Sequence, residues 1–158
     1  MSLTINTMIN GKSVSASAEA STSLLEFLRD TLEYKGTKLC CNTGECGACT
    51  IIYNGKPINS CVTMAADAND AQIITIEGLA DGDKLHPVQQ AFIDTGAVQC
   101  GYCTPGFLIS VKVLLDRTTK PTAEDIEEAV SANICRCTGY TKIVDAINLA
   151  ADRMAGRS

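Results

Sequence analysis

Thr37-Lys38-Leu39-Cys40-Cys41-Asn42-Thr43-Gly44-Glu45-Cys46-Gly47-Ala48-Cys49-Thr50 decides how the first half of this chain folds. Counted from Cys41, four residues precede Cys46 and two more precede Cys49; a further eleven lead to Cys61. Thiols this densely placed in one loop share a common target. Gly44 and Gly47 lie between them and free the backbone for angles that a side chain would forbid.

The spacing C-x4-C-x2-C with a distant fourth cysteine is that of plant-type [2Fe–2S] loops. Such a loop brings three thiolates to the rim of a small iron–sulfide rhomb and points backbone N–H groups at the sulfurs, which stabilises the negative charge and tunes the potential. Structural zinc also uses paired cysteines but favours C-x2-C pairs, which leaves the x4 gap unexplained. The expected ligands are Cys41, Cys46, Cys49 and Cys61.

The flanking sequence predicts a small sheet. Residues 3–9 are strand-like and run into Asn10-Gly11, a favoured two-residue hairpin turn, with a second strand from Lys12 to about Ala16. Ser23-Leu24-Leu25-Glu26 has the form of a capping box opening a helix to about Thr31. Thr50 to Tyr53, Asn54-Gly55 and Lys56 to Ser60 form a second hairpin that delivers Cys61, and Gln72 to Ile76 adds a closing strand. This order resembles the β-grasp arrangement of plant-type ferredoxins.

Gly78 to Lys84, rich in Gly and Asp, reads as a linker, and the apolar period then becomes helical. Helices are expected from Pro87 to about Thr95, from Thr104-Pro105 through Leu115, after the cap Thr122, and from Thr141 to about Met154. Their apolar stripes fit the core of a four-helix bundle. The predicted architecture is therefore α+β, with a ferredoxin-like domain over 1–78 and a helical bundle over 79–158.

Four more cysteines serve this second half. Cys100 and Cys103 precede the second helix; Cys135 and Cys137 lie between the third and fourth, with 31 residues between Cys103 and Cys135. In an up-and-down bundle both pairs fall at the same end, so four thiolates converge. From this half alone, zinc and an iron–sulfur cluster remain equally open.

Composition narrows the classes. The 158 residues are 46% hydrophobic and 20% charged, which is globular rather than disordered. A net charge of −5 argues against a nucleic-acid partner. Glu124-Asp125-Ile126-Glu127-Glu128 reads as the solvated first turn of a helix. The start, Met1-Ser2-Leu3-Thr4-Ile5, lacks the basic and apolar regions of a signal peptide, and no apolar run reaches membrane-spanning length. Nine cysteines, an odd count, suit metal ligation in a reducing compartment, the cytoplasm, better than a disulfide scaffold.

Both cysteine sets together, with Gln99-Cys100-Gly101-Tyr102-Cys103-Thr104-Pro105-Gly106 and Asn133-Ile134-Cys135-Arg136-Cys137-Thr138-Gly139-Tyr140, closely resemble the small iron–sulfur subunit of the xanthine oxidase family, the molybdenum hydroxylases. The resemblance covers nearly the whole chain. It implies one [2Fe–2S] cluster on Cys41, Cys46, Cys49 and Cys61, and a second, nearest the molybdenum cofactor, on Cys100, Cys103, Cys135 and Cys137. Gln99 and Cys137 would lie against the pterin. It further implies a large molybdopterin-binding partner subunit, with the cofactor as a dinucleotide, and in some members an FAD-binding subunit. No catalytic residue is expected in this chain. An autonomous ferredoxin-like carrier or redox sensor is the alternative, but it leaves the second cluster and Gln99 unexplained; a zinc-stabilised interaction module is a third reading.

Two residues stand apart. Cys40 occupies a place where the family usually has glycine; it offers a competing C-x5-C-x2-C register but is expected to be a small buried thiol. His86, the only histidine, is expected to open the helix at Pro87.

Overall fold

The computed structural model describes residues 1–157. Its first half is a five-stranded sheet. Strand β1 (Ser2–Ile9) pairs antiparallel with β2 (Lys12–Glu19) across the Asn10-Gly11 turn, where both residues take positive φ, 51° and 76°. Strands β3 (Thr50–Tyr53) and β4 (Lys56–Asn59) form the second hairpin across Asn54-Gly55. Strand β5 (Gln72–Ile74) lies between the two hairpins, parallel to β1 and antiparallel to β3, giving the order β2-β1-β5-β3-β4.

Two boundaries depart from expectation. β2 continues past Ala16 to Glu19, because β1 begins at Ser2 and pairs Ser2 with Glu19. β5 stops at Ile74 rather than Ile76. There β1 has already ended, and the Asn10 side chain replaces its backbone: Oδ1 accepts the Thr75 N–H and Nδ2 donates to the Thr75 hydroxyl, both at 2.9 Å. The chain then turns through a 3-10 segment, Ile76–Gly78.

One helical segment crosses the sheet. Ser23 caps α1 (Leu24–Glu26) in a reciprocal capping box with Glu26. The segment continues as a π-helical turn, Phe27–Thr31, closed by the Leu32 N–H on the Phe27 carbonyl at 3.1 Å. Leu24, Phe27 and Leu28 bury against Ile5, Ile9, Ile51 and Ile73. Each such side chain contributes about 1.5–3 kcal/mol relative to exposure.

The second half is helical: α2 (Pro87–Asp94), α3 (Thr104–Arg117), α4 (Ala123–Ser131) and α5 (Thr141–Met154). His86 caps α2 as expected, its Nδ1 accepting the Val88 N–H at 3.3 Å. Thr122 caps α4 with Asp125 in a capping box. Val88, Phe92, Phe107, Val111, Leu114, Ile126, Ile143 and Ile147 form the core between them. Ile52 of β3 joins that core, with Ile74 and Ile76 packed beside it, so α3 couples the helices to the sheet. No described helix is long and apolar enough to cross a membrane.

Candidate metal centres

The first cysteine loop is held open by positive-φ residues and tied down by side chains. Asn42, Gly44 and Gly47 stand at φ 58°, 82° and 70°. The Asn59 amide donates to the Gly44 carbonyl at 2.6 Å, and the Thr50 hydroxyl to the Gly47 carbonyl at 2.6 Å. The hairpin register delivers the fourth thiol. Thr50 faces Asn59, and the Ser60 hydroxyl then donates to the Cys49 carbonyl at 2.8 Å, which sets Cys61 beside Cys49. Cys46, Cys49 and Cys61 are buried, and Cys41 is half-buried.

Electrostatics distinguish these thiols. The N–H groups of Thr43 and Cys46 both donate to Cys41 Sγ at 3.4 Å. Hydrogen bonding from Thr43, side chain and backbone, and then from the Cys46 N–H brings the Cys41 thiol down to about 5, so it is a thiolate at neutral pH. Burial pushes Cys49 up to about 12 and also raises Cys46.

The second set is built from two loops at one end of the helices. Cys103 leads directly into α3, and residues 135–140 lead into α5. The sulfurs of Cys100 and Cys137 are 3.6 Å apart, and Cys103 faces Cys135. Cys135 Sγ accepts from the Thr138 hydroxyl at 3.1 Å and from the N–H groups of Cys137 and Thr138, both at 3.4 Å. Burial opposes ionisation of Cys135, but these Thr138 and Cys137 donors prevail and its pKa is lowered. Burial pushes Cys103 up to about 12. Cys100 and Cys137 are exposed, as is Gln99 beside them.

The eight cysteines expected as ligands divide between the first loop with its hairpin and the two loops at one end of the helices. Among the described residues, no three metal-ligating side chains converge on a single point. Instead the thiols approach in twos: Cys41 with Cys46, Cys49 with Cys61, Cys100 with Cys137, and Cys103 with Cys135. Cys40 is a correction: it is exposed, not buried. The Tyr102 hydroxyl donates to the Leu39 carbonyl next to it, and Cys41 is half-buried.

The junction between the two sets was not visible in the sequence. The Ile134 N–H donates to the Cys46 carbonyl at 3.0 Å, so a residue adjoining Cys135 is bonded to a residue of the first loop. Thr138 and the Tyr140 hydroxyl, which accepts the Cys135 N–H at 2.9 Å, were also missed as supports. Their only signal was their place in the Cys-Arg-Cys-Thr-Gly-Tyr string.

Comparison with known proteins gives these sets a context. Residues 7–80 match the family described as "2Fe-2S iron-sulfur cluster binding domain", and residues 75–148 match "[2Fe-2S] binding domain". The chain is 46% identical to the nicotinate dehydrogenase small FeS subunit of Eubacterium barkeri, over 97% of this chain and 98% of that one. The chain is an iron–sulfur subunit of the xanthine oxidase family. Its fold superposes on a chain of quinoline 2-oxidoreductase from Pseudomonas putida 86 with a TM-score of 0.92, at 38% identity and 99% coverage of both. In the aldehyde oxidoreductase of Desulfovibrio desulfuricans the matching region is 17% of a longer chain, with a TM-score of 0.93 at 40% identity. As a member of this family, the chain carries two [2Fe–2S] clusters and transfers electrons within an oxidoreductase.

Proposed function

We propose that this chain relays electrons from a molybdopterin centre in a large partner subunit, through its two clusters, to a flavin subunit or an external acceptor. The outer cluster is assigned to Cys41, Cys46, Cys49 and Cys61, in a β-grasp domain over 1–78. The inner cluster, nearest molybdenum, is assigned to Cys100, Cys103, Cys135 and Cys137, in a four-helix bundle over 79–158. A reducing compartment, the cytoplasm, suits its nine thiols.

The observation that carries this reading is the pairing of thiols in each set. Two irons bridged by sulfide take two thiolates each, and the paired sulfurs suit that demand. The N–H donors on Cys41 and Cys135 suit the anionic charge of a bound cluster. When bound, the clusters supply one-electron redox storage.

The remaining work belongs to the chain's residues. Exposed Cys100, Cys137 and Gln99 present the inner set to the molybdenum subunit, where Gln99 offers one acceptor and two donors to a pterin edge. Buried Cys46, Cys49 and Cys61 keep water from the outer set. The Cys46–Ile134 hydrogen bond joins the two loops by a short covalent and hydrogen-bonded route.

The test is metal analysis on protein purified from its native source. About four irons and about four acid-labile sulfides per chain are expected, with two distinct EPR signals after dithionite reduction and a co-eluting large molybdenum subunit. Stoichiometric zinc and a colourless protein would overturn the assignment.

A further inference from the structure

Asn133 is 2% exposed, at the seam between the two cysteine sets. Its Nδ2 donates to the buried Ser110 hydroxyl of α3 at 2.9 Å. Its Oδ1 is fully buried and accepts no hydrogen bond. Native structures rarely keep a buried acceptor unpaired, so its surroundings need a reason.

Those surroundings are two glycines from the two cysteine-bearing segments. A Cβ placed on Gly106, three residues after Cys103, would stand 2.3 Å from Asn133 Oδ1 and 2.2 Å from the Gly47 carbonyl oxygen. A Cβ on Gly47, between Cys46 and Cys49, would stand 2.2 Å from the Ala132 carbonyl and 2.6 Å from Asn133 Oδ1. The Asn133 amide thus lies against bare backbone on both sides. Glycine Cα–H groups are weak donors, and they face the otherwise unpartnered oxygen. The next residue, Ile134, makes the backbone bond to Cys46.

We infer that Asn133 is a positioning residue that sets the spacing between the two clusters. The inference rests on the proposed assignment of Cys41, Cys46, Cys49 and Cys61 to one cluster and of Cys100, Cys103, Cys135 and Cys137 to the other. The amide fixes α3 through Ser110 and abuts the first loop at Gly47, while its own backbone leads to Cys135. One side chain therefore references three segments that carry cluster ligands. Electron transfer between the clusters moves one electron: one site is oxidised by one electron, the other is reduced by one, no bond changes and no proton moves. Tunnelling falls steeply with distance, so a seam that loosens slows this exchange even when both clusters remain bound.

The test uses the full chain with clusters loaded. Asn133→Ala removes the spacer, Gly106→Ala forces the seam apart, and Ser110→Ala, a milder change, removes only the anchor of the amide. Iron content, the spin–spin splitting between the two reduced clusters in EPR, and the rate of electron equilibration after flash photoreduction are measured for each. Asn133→Ala and Gly106→Ala are expected to retain iron while weakening or broadening the splitting and slowing equilibration several-fold, with Ser110→Ala intermediate. A variant that only melts earlier, with splitting and rate unchanged, overturns the inference, because a purely structural role would do that. Wild-type protein that lacks two clusters would overturn the assignment of the cysteines instead, and the two failures are thereby told apart.

Discussion

Tyr140 holds its backbone at φ 68° and accepts the Cys135 N–H on its hydroxyl at 2.9 Å. A bulky residue in left-handed geometry costs about 1–3 kcal/mol and persists only where its surroundings over-determine it. Here the hydroxyl bond and an edge-to-face contact with Phe107, centroids 6.3 Å apart, hold it in place. Tyr140→Phe keeps the ring and removes the acceptor. It is expected to lower stability by about 0.5–1.5 kcal/mol in thermal denaturation. The inner-cluster EPR signal should shift while the outer one stays fixed; shifts in both would show that the tyrosine acts on the whole molecule.

The neighbouring thiols Cys40 and Cys41 separate cleanly by mutation. Cys41 Sγ receives two backbone donors, whereas Cys40 is exposed. Cys40→Ser is expected to leave iron content and both EPR signals intact, and Cys41→Ser to remove the outer signal. The reverse pattern would establish the C-x5-C-x2-C register.

The order of electron flow is tested at Cys103, which faces Cys135 in the second set. In the assembled holoenzyme, Cys103→Ser should stop substrate from reducing the outer cluster. Dithionite should still reduce it, since the ligands proposed for it lie in the other half. Normal substrate-driven reduction of the outer cluster, with the inner one absent, would contradict the order proposed.

Two capping boxes predict an acid dependence of stability. The Ser23 backbone N–H, and then its hydroxyl, hold the Glu26 carboxyl below its ordinary value; Thr122 does the same for Asp125. A carboxylate with a depressed folded pKa stabilises above its unfolded pKa, about 4.3 for Glu and about 3.9 for Asp, and loses that stabilisation as pH falls through the folded value. Glu26→Gln and Asp125→Asn should therefore be less stable than wild type at pH 7, with the gap closing below about pH 4. Denaturant midpoints across pH measure this, and a gap that widens in acid would contradict it.

Local chemistry was legible in the sequence where a residue's own conformational needs decide the structure. Asn10-Gly11 and Asn54-Gly55 require positive φ, and both make the predicted hairpins. Ser23 and Thr122 carry capping-box partners three residues on. Features set by contact between distant segments were hidden. The π-helical turn at Phe27–Thr31 satisfies the same apolar pattern as an α-helix. Cys40 is exposed, beside a bond between Tyr102 and Leu39 that lie far apart in the chain. Gly47 was read as a loop glycine, but its contact with Ala132 and Asn133 exists only once the helices dock.

The dissimilar construction of the two thiol sets bears on biosynthesis. Cys41, Cys46 and Cys49 emerge from the ribosome together on one short loop, and the next hairpin brings Cys61. On the proposed assignment, Cys100 and Cys103 must wait for Cys135 and Cys137, which arrive only after α3 and α4 have been made. Iron delivery to a nascent chain is thus expected to begin at the amino-terminal loop and to finish when translation is nearly done.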